Sequence, residues 1–311
     1  MSKFFAKLTS TKPSMYSKSL FLNILGMQWY RILFFYLIRK VKASVTIKPE
    51  YKEYLKILER DGVIVIPNFL SEADYKEVLD EYQTLTPSFV RTNHNLLPRV
   101  DGISMYDKRV LEKNRNLFLK SDLIRSLVSS YLNRYYNLQL PIDYNRIYCN
   151  QEDLDKPRNG GTNNLHFDAP LRIVKIFYYL TDTTQENGAL RYCKGSHKRN
   201  NLKRLLFEYK LSIRYSLNKW NKDNKGEYGD DEPWVTITSL EQRKYNLNEE
   251  SIEAKGNSLV IFDVGGFHRR GDNNTLISRD SIQLNYRSID TLRNYLFPFE
   301  KRIRSTIKSS K

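Results

Sequence analysis

The 311-residue chain contains four histidines, so the neighbours of each carry unusual weight. In His166-Phe167-Asp168 an imidazole and a carboxylate stand two residues apart, and along an extended chain such residues point to one face. That pairing alone is commonplace on protein surfaces. A second histidine strengthens it: His268 follows the apolar run Ser258–Asp263, SLVIFD, and the turn Val264-Gly265-Gly266-Phe267. Two imidazoles and one carboxylate make the facial set that holds non-haem Fe(II) and leaves three coordination positions open. Eleven residues beyond His268, Arg279 and Ser281 enter the last strong strand-like run. A guanidinium there can grip a carboxylate in bidentate fashion with a hydroxyl beside it. These residues offer an iron site and, near it, a clamp for a dicarboxylic co-substrate.

The other two histidines read more plainly. His197 lies in a Gly-Ser-His turn and is expected to order a loop or line the site, and His94 falls in a polar loop-like stretch. Cys149 and Cys193 have no partner at metal-ligand spacing and cannot make a disulfide framework; they read as packing in a reducing, cytoplasmic setting.

The elements that must position these groups are legible as a succession. Residues 51–60 have helical spacing and stop at Asp61-Gly62, and Val63–Pro67 reads as a buried strand. Ser71 can cap a helix running to about residue 83, and residues 107–136 look helical with a break near Lys120-Ser121. Short β-branched or aromatic runs follow at residues 144–150, 172–181, 188–193, 258–264 and 281–288. Helices first and strands after predict an α+β chain whose second half is a β-sandwich or barrel.

Charge is uneven. Lys and Arg number 51 against 35 Asp and Glu, a formal net charge of +16, which draws the protein towards polyanions. Residues 1–49 hold nine Lys or Arg and no acid, and they enclose the most apolar window of the chain, residues 20–38. Wound at about 100° per residue, Asn23, Gln28, Arg31 and Arg39 share one arc. Crossing a bilayer would place Arg31 in hydrocarbon at about 2.5–3.5 kcal/mol. A helix lying in the headgroup layer, with Trp29 and Tyr30 at the interface, avoids that cost. Packing on the rest of the protein is the equal alternative. We divide the chain into this basic segment, residues 1–48, and a second unit, 49–311. The latter carries a polar insertion at about 198–253, with Trp220 and Trp234, read as helices forming a lid over one mouth of the sandwich.

Taken together, HFD, the histidine within FDVGGFHRRGDNNT and Arg279 resemble the phytanoyl-CoA dioxygenase family of Fe(II)/2-oxoglutarate oxygenases. Residues 61–73, DGVIVIPNFLSEA, are similar to that family's opening strand and helix. NGALRYCKGSH, residues 187–197, is similar to its NGxLxxxPGSH turn, with Lys194 in place of proline. The resemblance covers roughly residues 51–288. It implies a double-stranded β-helix, the jelly-roll or cupin-like core, flanked by N-terminal helices. It also implies iron on His166, Asp168 and His268, and 2-oxoglutarate on Arg279 with Ser281, Asn150 being a further pocket residue. The implied reaction uses O2, with ascorbate in support. It hydroxylates an unactivated C–H bond of a small-molecule, lipid or glycolipid substrate and releases succinate and CO2. Halogenating relatives have a small residue in place of the carboxylate, so Asp168 favours hydroxylation.

Two other functions fit parts of the pattern. The charge suits a nucleic-acid oxygenase, but such relatives carry a second arginine six residues after the first, whereas here the next is Arg287, eight on. A jelly-roll that binds a partner without turnover is the other; the complete His, Asp, His and Arg set argues against it.

Overall fold

The computed structural model describes residues 19–40, 47–91, 99–132, 136–154, 156, 163–168, 173–199, 202–220 and 235–288. Residues 1–18, His94, Arg172 and Trp234 lie outside the described residues.

The chain begins with two helices, α1 (Leu20–Ile24) and α2 (Met27–Lys40), parted at Gly26, whose φ is +77°. Next come α3 (Lys52–Asp61) and strand β1 (Val63–Ile66). Gly62 joins them in the left-handed conformation, the stop that Asp61-Gly62 predicts. The Ser71 hydroxyl accepts from the Asp74 amide and starts α4 (Glu72–Leu85). Strands β2 (Val90–Arg91) and β3 (Arg99–Ser104) follow, then α5 (Glu112–Leu119) and α6 (Asp122–Leu132), broken where expected. The remainder is β4 (Tyr136–Tyr148), β5 (His166–Phe167), β6 (Ile173–Tyr179), β7 (Leu190–Tyr192), α7 (Leu202–Trp220), β8 (Val235–Thr236), α8 (Ser239–Tyr245), β9 (Glu250–Ile252), β10 (Ser258–Asp263), β11 (His268–Arg269) and β12 (Arg279–Ser288).

Among the described residues the strands form two antiparallel sheets. One runs β1-β10-β6-β12-β4-β3-β2 and the other β8-β5-β11-β7-β9. Strands distant in sequence interleave within each sheet, as in a jelly-roll. The alternation of side chains sorts the larger sheet's two faces. Its outer face, with Ile64, Ile142, Tyr144, Ile176, Tyr178, Leu259, Ile261, Ile282 and Leu284, buries against Leu58, Val78, Phe118, Leu127 and Tyr131 of the helices. Its inner face carries Val63, Phe177, Tyr179, Val260 and Phe262 towards the smaller sheet.

One expectation needs correction. The insertion does fold into helices, but α7 does not lie over the mouth. Phe207 and Leu211 pack with Phe167 and Phe267, whose neighbours in sequence are the two candidate ligand histidines, so α7 backs the smaller sheet from outside. The N-terminal helices pack on that same helix. The Asn23 amide donates to Ser212 O at 2.8 Å, and the Tyr209 hydroxyl donates to Ile24 O at 2.8 Å. Among the described residues, no helix is long and apolar enough to cross a membrane.

At the root of α7 sits a charge knot. Glu208 is fully buried and accepts from Arg199 Nε at 2.5 Å and Arg204 Nε at 2.8 Å. Burial pushes its carboxyl up, and the two guanidiniums override this and hold it below the usual range. Its stabilising contribution is therefore complete at neutral pH and is lost as pH falls through that lowered value. Glu208→Gln leaves two buried cations short of a counter-ion, and we expect a loss of roughly 3–5 kcal/mol in chemical denaturation at pH 7.

Candidate iron and 2-oxoglutarate site

Both histidines sit on strands of the smaller sheet. His166 of β5 and His268 of β11 are direct partners in the ladder, so one antiparallel pairing brings together residues a hundred positions apart. Their rings lie 4.6 Å apart between centroids. Asp168 leaves β5 and its amide donates to Val264 O at 2.9 Å, which docks the HFD segment on the turn leading to His268. That turn is tight: a Cβ at Gly266 would lie 2.0 Å from the Tyr192 hydroxyl, which donates to Asp263 O at 2.8 Å. The Asp263 side chain accepts from the Tyr131 hydroxyl and the Gly265 amide, each at 2.7 Å.

One ligand atom from each of His166, Asp168 and His268 falls within a 4.8 Å cluster. Asp168 Oδ1 lies 3.2 Å from His166 Nε2 and 3.6 Å from His268 Nε2. Each ring faces a backbone carbonyl with Nδ1, His166 at 2.6 Å from Asn164 O and His268 at 2.8 Å from Gly266 O. Donation there fixes the tautomer and turns the Nε2 lone pair of each ring towards the carboxylate. Burial pushes the His268 imidazole down to about 3, so it is a neutral ligand at physiological pH. Burial pushes Asp168 up, but the Lys175 ammonium and both histidines outweigh it and hold the carboxyl well below its usual range. Asp168 Oδ1 is buried and has no hydrogen-bond partner. Three acceptors thus converge on a point where no donor stands, which a divalent cation satisfies. The residues fit iron.

Arg279 opens β12 and is buried. Its Nη1 donates to Gly188 O, its guanidinium lies 5.6 Å from the centroid of the Phe177 ring, and its Nε has no partner. Among the described residues no carboxylate pairs with it. Burial lowers its pKa, as expected of a cation awaiting its anion. Sequence reasoning missed a second guanidinium beside it. Arg270 follows His268 by two residues, is pushed down to about 9 by burial and then by Arg279, and keeps Nη1 buried without a partner. Its neighbour Arg269 turns the other way, to Glu249 at 2.6 Å and Asp272 at 3.1 Å. Strand alternation in HRR carried that signal. Ser281 is buried on the same inner face, opposite Tyr179 and Asn145. Asn150 is not on the strand: β4 ends at Tyr148, and Asn150 begins the single turn Gln151–Asp153. Among the residues whose side chains are described, β4 presents Asn145 inward, opposite Ser281.

The inner face of the larger sheet is divided. Towards β1 and β10 it is apolar. Towards β4 it carries Ser281, Gln283 and Asn285 of β12, with Asn145 and Asp143 opposite the first two. Asn285 Oδ1 is buried without a partner, and burial pushes Asp143 up to about 6.

The remaining sequence candidates are structural. His197 is buried at the end of α3, its Nε2 3.1 Å from Glu59 O, and orders that junction rather than touching the metal cluster. Cys149 and Cys193 are buried and unbridged, with the Cys193 thiol pushed up to about 12 by burial. Arg204 and Arg199 are functional neighbours that no motif marked. Both donate to Gly265 O, at 3.1 and 3.3 Å, and Arg204 stacks 3.8 Å from the Phe267 ring centroid and 4.9 Å from that of Phe167. They brace the residues adjoining both histidines from behind.

Residues 58–281 match the family model described as phytanoyl-CoA dioxygenase (PhyH). Among solved structures, the chain is similar to the epimerase SnoN in complex with Fe3+, alpha ketoglutarate and nogalamycin RO. The TM-score is 0.53 at 16% identity, over 78% of this chain and 85% of that one. A second structure, described as the non-heme alpha ketoglutarate dependent epimerase SnoN from nogalamycin biosynthesis, gives 0.52 at 14% identity over 78% and 82%. At such identities the likeness is one of fold. No curated protein matches the chain.

Proposed function

The chain belongs to the phytanoyl-CoA dioxygenase family, an iron- and 2-oxoglutarate-dependent oxygenase, and on that premise we propose that it hydroxylates an unactivated C–H bond of a small-molecule, lipid or glycolipid substrate. 2-Oxoglutarate leaves as succinate and CO2. The observation that carries the reading is a buried guanidinium with no carboxylate partner among the described residues, joined through the Phe177 and Phe262 rings to His268 of three converging metal donors.

His166, Asp168 and His268 would hold Fe(II), which supplies the oxygen chemistry that amino-acid side chains lack. The chain's own residues bind and orient. Arg279 takes the distal carboxylate of 2-oxoglutarate, Arg270 adds a second positive charge beside it, and Ser281 offers a hydroxyl from the next inward position of β12. Phe177 supports the guanidinium from below. Phe262 and Tyr192, with ring centroids 5.4 and 6.3 Å from that of His268, keep water from the apolar side. Asp168, being present, favours hydroxylation over halogenation.

The divided inner face supports a choice within the substrate range. Asn285 Oδ1 is a buried acceptor without a donor, and the Asp143 carboxylate and the Gln283 amide add polar groups near it on the same face. A hydroxyl- or amine-bearing group, as in the head of a glycolipid or a polar small molecule, satisfies them; a bare acyl chain does not. The two buried, unbridged cysteines support a cytoplasmic setting.

The purified chain with Fe(II), ascorbate and 2-oxoglutarate is expected to release succinate slowly without substrate. Incubation with polar-lipid and metabolite extracts should yield a product heavier by one oxygen atom. Absence of succinate together with absence of 2-oxoglutarate binding by calorimetry would overturn the reading.

A further inference from the structure

The amphipathy of α1 and α2 is inverted. Their polar side chains face the protein: Asn23, Gln28 and Arg31 are buried, with Asn23 bonded to Ser212 O and to Ser216 Oγ at 2.5 Å, and Gln28 reaching Glu208 at 3.5 Å. Met27 and Ile32 are buried beside them, but a run of other large apolar side chains faces outward. Phe21 is 67% exposed and Leu25 and Leu33 are each 54% exposed, and Ile24 and Tyr30 are exposed with them. Trp29 sits at the margin, its indole N–H donating to Leu205 O at 2.8 Å and its ring 4.9 Å from that of Tyr209. Beside that contact α7 adds exposed Leu206, with Leu202 a turn before it. A surface helix of a globular protein normally does the reverse, burying the apolar stripe and exposing the polar one. A contiguous apolar face held outward by buried hydrogen bonds is built to be covered.

Charge decides by what. The first 49 residues carry nine Lys or Arg and no acid, and the exposed faces of α7 add Lys203 and Lys210. A second copy of the same face would bring these like charges together, whereas an anionic bilayer complements them. The aromatic pair Trp29 and Tyr30 at the rim suits the headgroup layer. We propose that α1 and α2 form a docking face for an anionic lipid bilayer, seating the chain peripherally with Phe21, Ile24, Leu25 and Leu33 among the acyl chains. The excess of Lys and Arg in the first 49 residues makes the attachment salt-sensitive.

The test is flotation of the full chain with vesicles of phosphatidylcholine containing phosphatidylglycerol, against phosphatidylcholine alone. The readout is independent of turnover, so it stands or falls apart from the proposed reaction. Binding to the anionic vesicles is expected to be roughly tenfold or more stronger, and to fall as salt is raised. The triple variant Phe21→Glu, Leu25→Glu, Leu33→Glu is expected to lose that binding while keeping the parent's circular dichroism and thermal midpoint, since all three side chains are exposed. Three results would overturn the proposal. The parent could fail to float with anionic vesicles, or the triple variant could float as well as the parent. Sedimentation equilibrium could instead show a parent dimer that the triple variant dissociates, which would make the face a self-interface.

Discussion

Asp168→Ala is expected to bind Fe(II) at least about 100-fold more weakly than the parent and to release no succinate above the metal-free background. The variant loses a ligand whose Oδ1 sits 3.2 and 3.6 Å from the two Nε2 atoms, and it also loses the counter-charge of Lys175, 2.5 Å from Oδ2. What remains is a pair of imidazoles beside an uncompensated ammonium, an arrangement that repels a dication. Isothermal titration with Fe(II) under argon, or with a non-oxidising divalent surrogate, reads the affinity directly. A thermal melt gives a second reading: added metal raises the parent's midpoint by mass action and leaves that of the variant where it was. Asp168→Asn keeps the volume and loses only the charge, so it should fall between the two. Parent-like iron affinity in Asp168→Ala would mean that the three donors are not the metal centre.

Arg279→Met is expected to weaken 2-oxoglutarate binding by roughly 30-fold to several thousand-fold, the cost of truncating one partner of a buried, hydrogen-bonded ion pair. The side chain is buried, with Nε unpartnered and no carboxylate beside it among the described residues, so its free hydrogen-bonding capacity is what the co-substrate recruits. Calorimetry on the metal-loaded protein should show the loss for 2-oxoglutarate but not for 2-oxovalerate, which has no distal carboxylate. Arg270→Met should weaken 2-oxoglutarate in the same sense by about tenfold, since the residue as a whole is less buried than Arg279 and acts beside it. If Arg279→Met bound 2-oxoglutarate like the parent, the anion would be anchored elsewhere and our orientation of the pocket would be wrong.

The site was legible where chemistry is written in short strings. HFD needs only the two-residue repeat of an extended chain, and the second histidine and Arg279 each sit at the edge of a β-branched run. Strands β6, β10 and β12 were legible for the same reason, whereas only the second half of β4 was. Strands of two or three residues, such as β2, β8 and β9, bury too little to leave a periodic mark, and Gly102 dilutes β3. Glu208 was invisible because Arg204 and Glu208, four apart on a helix, read as a solvated pair until the fold buries them. The N-terminal helices left a choice open. Their polar arc was read correctly, but a sequence does not say which side of a helix the protein lies on.

The two strands that carry the histidines are each only two residues long, too short to fix an imidazole by their own ladder. Their rigidity is borrowed through Arg199, Arg204 and Glu208, which grip the far side of the sheet from the pocket. Anchorage and selectivity therefore occupy opposite faces of one wall. Over evolutionary time the lining can drift towards new substrates without slackening the catalytic metal, which leaves the scaffold free to diversify while its reactive centre stays still.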